Sequence, residues 1–299
     1  MSAAIRDTGA EAAVRFIGKM HNDTYAEIDP LKADLSGKTI VITGASKGIG
    51  RAAAIAFAQA GASNIAITAR SSLDDVVSAM LKAARDAGRP KEPVIFSGTA
   101  DVTSEQDVSR FAKKVGEAFG AVDLLINNAG YSSEWTPLVD TDPADWWMNF
   151  EVNVRGIYLF THAFLPLVLK SASLKTILNV TSFGAVIISE GASGYQTAKF
   201  AVCRLTEHVA ADYADQGLIC IAAHPGGIKT ELGTRLPKPL HQWLVDEVEL
   251  PAHWMTWLAR ERREWLQARF VVVNWDVKEL ESKKDEIVNG NKLKFRMVV

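Results

Sequence analysis

Tyr195 and Lys199 stand four residues apart, a spacing that on a helix puts them on one face, one turn from each other. A phenol with an ordinary pKa near 10 is a poor proton carrier at neutral pH, and a fixed ammonium beside it favours the phenolate. The pair therefore reads as a centre that exchanges a proton with a substrate oxygen. A second constellation lies upstream, where Thr43-Gly44-Ala45-Ser46-Lys47-Gly48-Ile49-Gly50 falls between an apolar run and an amphipathic one. Glycines there allow a tight turn, let backbone approach a pyrophosphate and leave bare amides at a helix N-terminus, where the dipole favours anions. Taken singly, each residue has an ordinary alternative: a half-buried tyrosine, a snorkelling lysine, a glycine-rich turn. Their order and their placement on elements are what separate the readings.

Those elements follow from the hydrophobic pattern. After a polar leader over 1–37, whose stretch from Glu11 to Met20 could form a short helix, apolar runs of five to seven residues alternate with amphipathic segments of twelve or more. The runs predict strands at 39–43, 64–69, 94–98, 122–127, 174–180, 218–223 and 269–274, and helices at 48–60, 73–87, 104–119, 143–170 and 194–215. Thr103 with Gln106 reads as a capping box, Asp142-Pro143 as a capped start, and Pro166 as a kink or end. This alternation specifies an α/β chain: a single doubly wound domain over 38–299, with a seven-stranded, mainly parallel sheet covered by helices on both faces.

Composition narrows the function. The chain has 299 residues, 48% of them hydrophobic and 23% charged, which excludes disordered, collagenous and coiled-coil classes. Its 33 basic and 35 acidic side chains leave a net charge of -2, so bulk charge offers no attraction to nucleic acid or anionic lipid. Two cysteines, Cys203 and Cys220, make no disulfide framework and suit a reducing compartment. The six histidines are scattered without ligand spacing, so no metal site is expected. With no signal-like segment and no run of 18 apolar residues, the expectation is a soluble, cytoplasmic protein.

The glycine spacing, GxxxGxG, departs from the GxGxxG dinucleotide fingerprint and resembles the short-chain dehydrogenase/reductase family. Further matches follow in that family's order: Asp101-Val102 after the third strand, Asn127-Asn128-Ala129-Gly130 closing the fourth, and Asn153 in the long helix. Ser182 follows the fifth strand, Tyr195 and Lys199 form YxxxK, and Pro225-Gly226 follows the sixth strand, with Ile228 and Thr230 beyond. The resemblance covers about residues 36–280. It implies a Rossmann-like fold and catalysis by Asn153, Ser182, Tyr195 and Lys199. Ser182 would polarise the substrate carbonyl, Asn153 would hold a water linking Lys199 to solvent, and Lys199 would also bond the cofactor ribose. Gly44, Ser46, Gly48, Ile49, Gly50, Asp101, Val102, Asn128, Ala129, Gly130, Pro225, Gly226, Ile228 and Thr230 would line the cofactor. It also implies a homodimer or homotetramer, built where helices 143–170 and 194–215 meet their copies.

Segment 229–250 corresponds to the family's variable substrate lid. It is largely apolar, as are the residues after Ser182, so Phe183, Ile188 and Trp243 are candidates for the pocket of an apolar carbonyl or alcohol substrate. The leader, with His21-Asn22-Asp23-Thr24-Tyr25, and a tail over 277–299 that replaces the usual glycine pair with Asn274-Trp275-Asp276-Val277, look like members found in fungal metabolic pathways. A secondary metabolite is the corresponding class of substrate. Trp254, Trp257, Leu258 and Trp265 form a stripe expected in the core or at a subunit contact, and His224 is expected to pack at a strand end.

The cofactor choice turns on local residues. An acidic side chain about 20 residues beyond the glycines would bond a ribose 2′-hydroxyl and repel a 2′-phosphate. Here Ala69-Arg70-Ser71-Ser72 occupies that place, and Lys47 adds a cation inside the glycine loop. Both point to NADP, by about 30- to 150-fold over NAD. The expected activity is carbonyl reduction. A non-redox dehydratase, isomerase or cyclase on the same fold remains the alternative, and a silent nucleotide-binding protein a weaker one.

Overall fold

The computed structural model describes residues 15–297. Of the helix expected from Glu11 to Met20, residues 11–14 lie outside the described residues, and beyond Arg15 the chain is not helical: 16–18 form a bend and Met20 an antiparallel bridge with Trp275. Seven strands form one sheet in the order β3-β2-β1-β4-β5-β6-β7. They are β1 (Thr39–Thr43), β2 (Asn64–Ala69), β3 (Val94–Thr99), β4 (Leu124–Asn127), β5 (Thr176–Val180), β6 (Ile219–His224) and β7 (Phe270–Val272). Every neighbouring pair is parallel, so the sheet is wholly rather than mainly parallel.

Strand period two distributes the core between the two faces. On one face Ile40, Ile42, Ile65, Ile67 and Ile126 pack with Phe57 and Trp254; on the other Val41, Leu125 and Ile177 pack with Phe111, Phe160 and Phe164. The first face is covered by α1 (Gly48–Gln59), α2 (Asp74–Asp86) and, late in the chain, α7 (Glu249–Leu258). The second is covered by α3 (Glu105–Phe119), α5 (Gly156–Leu169) and α6 (Ser193–Asp212), with α4 (Pro143–Phe150) packed against α6. Trp254, Trp257 and Trp265 are all buried, which puts the tryptophan stripe in the core. Two short helices, α8 (Val277–Ser282) and α9 (Lys284–Asn289), carry the charged tail.

Three local expectations change. The cap of α3 is Ser104, whose hydroxyl accepts from Asp107 N; Thr103 is unavailable because its N–H and its hydroxyl are both taken by Asp101 Oδ1. Asp142 does cap α4, accepting from Asp145 N at 2.7 Å. The helix expected over 143–170 is interrupted by a π turn at Glu151–Arg155, and α5 then runs on past Pro166 to Leu169. Together Pro143–Leu169 are long and apolar enough to cross a membrane by length and composition, but Ile157, Phe160, Phe164 and Val168 are spent in the core.

Leader and tail are built together. His21 N donates to Asn274 O, Asp276 N to Lys19 O, and the Glu279 carboxylate accepts from Gly18 N and Lys19 N. The far tail crosses α6, where Phe295 meets Phe200 edge-on at 5.0 Å and Arg296 pairs with Glu207.

Candidate active site

One cavity of about 1270 Å³ opens along the C-terminal ends of β1, β2, β4, β5 and β6. That is where a doubly wound sheet collects its ligands, at the reversal of strand order between β1 and β4. Gly44 and Gly48 have φ of +67° and +54°, a region that favours glycine. A Cβ on Gly50 would stand 2.4 Å from Gly44 O, and one on Gly44 2.9 Å from Ala129 Cα, so no side chain fits. Thr43 locks this turn: its hydroxyl accepts from Asn128 N and Ala129 N, both at 3.0 Å, while Asn128 Nδ2 donates to Thr43 O. Sequence reasoning assigned Thr43 no role, although its place directly before the first glycine was a usable signal.

Helix α1 begins at Gly48 with no side-chain cap, in contrast to α3 and α4. Its first amides are left for an anion, and Gly48 and Ile49 line the cavity. Ser46, Arg70, Asp101 and Val102 line one flank, and Asn128, Ala129 and Gly130 the floor. Pro225, Ile228 and Thr230 come in from the loop after β6, Thr230 Cγ2 lying 3.1 Å from where a Gly48 Cβ would be. Gly226, with φ +98°, sits just behind that loop against the Asp246 carboxylate, where a Cβ would be 2.6 Å from Oδ2. This cradle, long and lined by an uncapped helix start, fits a nicotinamide dinucleotide.

The cations differ from expectation. Lys47 is not free for phosphate, because it forms an ion pair with Glu231 from the lid. Arg70 is exposed on the cavity rim and pairs with no carboxylate among the described residues. Arg51, one residue past the last glycine, also lines the cavity, a third cation that sequence reasoning overlooked.

Tyr195 and Lys199 come from the first turns of α6 and face the same cavity. Lys199 Nζ lies 5.7 Å from the Tyr195 ring centroid and donates to Val180 O at 3.1 Å. Burial lowers the lysine pKa to about 8. The phenol is not pulled toward phenolate as the spacing suggested: desolvation raises its pKa, and the only opposing influence is a hydrogen bond with Ser182. Enclosure by protein thus decides the direction, and Lys199, at 5.7 Å from the ring centroid, does not reverse it.

Ser182 Oγ accepts from Gly184 N at 3.0 Å, so its own hydrogen is directed to the Tyr195 hydroxyl and to the substrate oxygen that would lie there. Asn153 sits in the π turn, fully buried, and grips the main chain of Tyr131 on both sides: Oδ1 accepts from Tyr131 N at 3.0 Å and Nδ2 donates to Tyr131 O at 2.8 Å. Its amide is therefore engaged by backbone, close to Gly130 and, through it, to Lys199. His224 packs at the end of β6, accepting from Phe183 N, and burial lowers its pKa to about 4.

The three apolar pocket candidates are not brought into the cavity. Ile188 and Trp243 are 72% and 64% exposed, and Phe183 turns toward His224. Instead, Tyr131, Met148, Val152, Leu232 and Arg235 line the cavity that Tyr195 faces. Periodicity of the lid could not show this, because residues 229–247 form short 3-10 turns, Gly233–Arg235 and Lys238–Trp243, joined by irregular backbone rather than an α-helix or strand.

A doubly wound sheet with this cradle and a buried tyrosine–lysine pair defines a nicotinamide-dinucleotide oxidoreductase. The short chain dehydrogenase family model matches residues 38–240. The chain is 48% identical over 288 residues to the short chain dehydrogenase mpl6 of Monascus purpureus, covering 96% of this chain and 98% of that one. Among solved structures it is similar to levodione reductase, with a TM-score of 0.70 and 25% identity over 79% of this chain and 96% of that one. It also shares the fold of a carveol dehydrogenase from Mycobacterium avium solved in complex with NAD, with a TM-score of 0.71 at 18% identity, over 81% of this chain and 98% of that one. The chain belongs to the short-chain dehydrogenase/reductase family.

Proposed function

We propose that this protein reduces a carbonyl group of a small, mostly apolar substrate, of the secondary-metabolite kind, to an alcohol at the expense of NADPH in the cytoplasm. The observation that carries the reading is the placement of the Tyr195 hydroxyl and Lys199 in the same cavity as the glycine cradle. When bound, the nicotinamide supplies a hydride to the carbonyl carbon. Tyr195 donates its hydroxyl proton to the carbonyl oxygen, so hydride and proton together convert C=O to CH–OH. Ser182, with its lone pair held by Gly184 N–H, donates to the same oxygen. A lysine with a pKa near 8 can hold or release a proton close to neutrality and so reload the phenol.

The preference for NADPH rests on the end of β2, where Ala69-Arg70-Ser71 offers a cation and no carboxylate. Lys47 shares its charge with Glu231, so Arg70 carries the larger part. Comparing kcat/KM for the two cofactors tests this: NADPH is expected to be favoured by about 30- to 150-fold, with Arg70→Asp losing more of that than Lys47→Ala. Equal or better use of NADH by the parent overturns the preference. For the reaction itself, NADPH oxidation is followed with a panel of apolar ketones and product masses. A product heavier by two hydrogens supports reduction; one that is isomeric or lighter by water points to the non-redox alternative. The exposed Trp147 and Tyr158 on α4 and α5 support a homodimer or homotetramer, and sedimentation showing only monomer at micromolar concentration overturns it.

A further inference from the structure

Of the charged side chains that the lid brings to the cavity, Arg235 lies over Tyr131. The Arg235 guanidinium lies 5.5 Å from the Tyr131 ring centroid, and Nη1 donates to Ser132 O at 3.3 Å. The ring beneath it is held at three points: Asn153 grips the Tyr131 N–H and carbonyl, and the Tyr131 hydroxyl donates to Asp145. The plate on which Arg235 rests is therefore fixed. Three residues earlier, Leu232 Cδ2 stands 3.7 Å from where a Gly130 Cβ would be, and Lys199 Nζ stands 3.7 Å from that same point. One lid turn thus brings an apolar contact beside Lys199 and a cation over Tyr131, in the compartment that holds Tyr195.

Among the described residues no carboxylate is devoted to Arg235: the Glu231 charge reaches it, but Glu231 is shared with Lys47. Among those residues none lies within ion-pair distance of the guanidinium, and Asp145 is committed to the Tyr131 hydroxyl and Glu134 N. With Nη1 on Ser132 O, the guanidinium keeps further N–H groups to offer a ligand. A neutral ligand filling the space would strip water from those groups and give nothing back, whereas a carboxylate meets them with charge-assisted hydrogen bonds.

We propose that Arg235 is a specificity residue and that the physiological substrate, besides its reducible carbonyl, carries an anionic oxygen group, a carboxylate or an equally acidic enol, which docks on the guanidinium. This rests on the carbonyl-reduction reading, with the apolar body of the substrate against Met148, Val152 and Leu232.

The test pairs an aryl methyl ketone with the same ketone bearing a ring carboxylate, in the parent and in Arg235→Leu and Arg235→Lys. The parent is expected to favour the carboxylated ketone by about 10- to 100-fold in kcat/KM, mainly through KM. That ratio falls to near one in Arg235→Leu and is intermediate in Arg235→Lys, which keeps the charge without the planar fork. Calorimetric binding of the carboxylated alcohol gives a readout independent of turnover and should be lost in Arg235→Leu while Tm is unchanged. Equal treatment of the two ketones by the parent overturns the inference. So does an Arg235→Leu variant whose main defect is weaker dinucleotide affinity, which would assign the residue to the cofactor. If neither ketone is reduced with either dinucleotide yet the carboxylated alcohol binds in an Arg235-dependent way, the reduction reading fails and the anion site stands.

Discussion

Two of the places where ionisable side chains are enclosed among the described residues, the catalytic cavity and the joint between leader and tail, are treated in opposite ways. At the catalytic cavity, Tyr195, Lys199 and His224 are each pushed toward their neutral forms by burial, with few partners to compensate. At the joint between leader and tail, Asp276 stays charged despite burial. Desolvation would raise its pKa, but hydrogen bonds from His21, Glu279 N and Lys19 overcome that and hold it at about 2. The neighbouring side chains are equally engaged: His21 stacks on Tyr25 at 3.6 Å, and the Tyr25 hydroxyl accepts from Val277 N and donates to Trp275 O. The charge of Asp276 is matched by partners on several sides, although Trp275 Nε1 beside it is buried without a hydrogen-bond partner; the titratable groups of the cavity have no counter-charge among the described residues and are left for a ligand.

The largest effect that would break this contrast lies in the cavity. Tyr195→Phe keeps the ring and removes the transferable proton, so kcat should fall by about 10²- to 10⁴-fold with dinucleotide affinity nearly intact. Undiminished carbonyl reduction by that variant would sink the assigned mechanism. At the joint, Trp275 is fully buried under the leader, and Trp275→Ala should cost about 3–5 kcal/mol in denaturant unfolding. A loss below 1 kcal/mol would mean the leader can collapse onto the gap.

The sign of the contrast is tested by Lys199→Met. A lysine whose folded pKa is lowered from 10.5 to about 8 binds fewer protons folded than unfolded between those values, so stability should rise as pH climbs from 8 toward 10.5. At neutral pH its burial is a net cost. Replacing it with a methionine should therefore abolish turnover yet stabilise the dinucleotide-free protein, by a few kcal/mol at most, since one pKa unit is worth about 1.4 kcal/mol. A lower Tm for Lys199→Met would show that the lysine is better satisfied than its single bond to Val180 O implies.

The two clusters also differ in how far the sequence reveals them. The sheet, the glycine cradle and the tyrosine–lysine pair follow from local signals: strand runs, a turn that only glycine can make, and a four-residue helical spacing. What stayed hidden depends on residues far apart in the chain. The pairing of Lys47 with Glu231 spans 184 residues, and the tie of Asn22 to the lid's Asp246 spans 224. Neither has a periodicity to read. The π turn at Asn153 is likewise invisible, because its sequence is as helical as its neighbours. The apolar residues of the lid misled for a related reason: in irregular backbone, hydrophobicity does not tell which way a side chain turns, and Trp243 faces out.

The smallest effect concerns acid. Asp276 has its folded pKa depressed from 3.8 to about 2, so it contributes stability that is fully present above about pH 4 and is lost as pH falls through 2. That contribution is about 2 kcal/mol. Since the carboxylate caps α8 through Glu279 N and also receives the His21 Nε2 at 2.9 Å, its protonation should loosen leader and tail together. Hydrogen exchange between pH 4 and 2.5 should show amides at His21 and Asp276 losing protection before those of Val41, Ile42, Leu125 and Ile126, which are paired strand to strand and lie beyond the Asp123 carboxylate that accepts from Thr39 N. Asp276→Asn should reproduce the loosening at neutral pH and flatten the acid dependence. If the joint and the central strands instead lose protection in one step at every pH, leader and tail are not a separate unit, and the stability of the joint belongs to the whole domain.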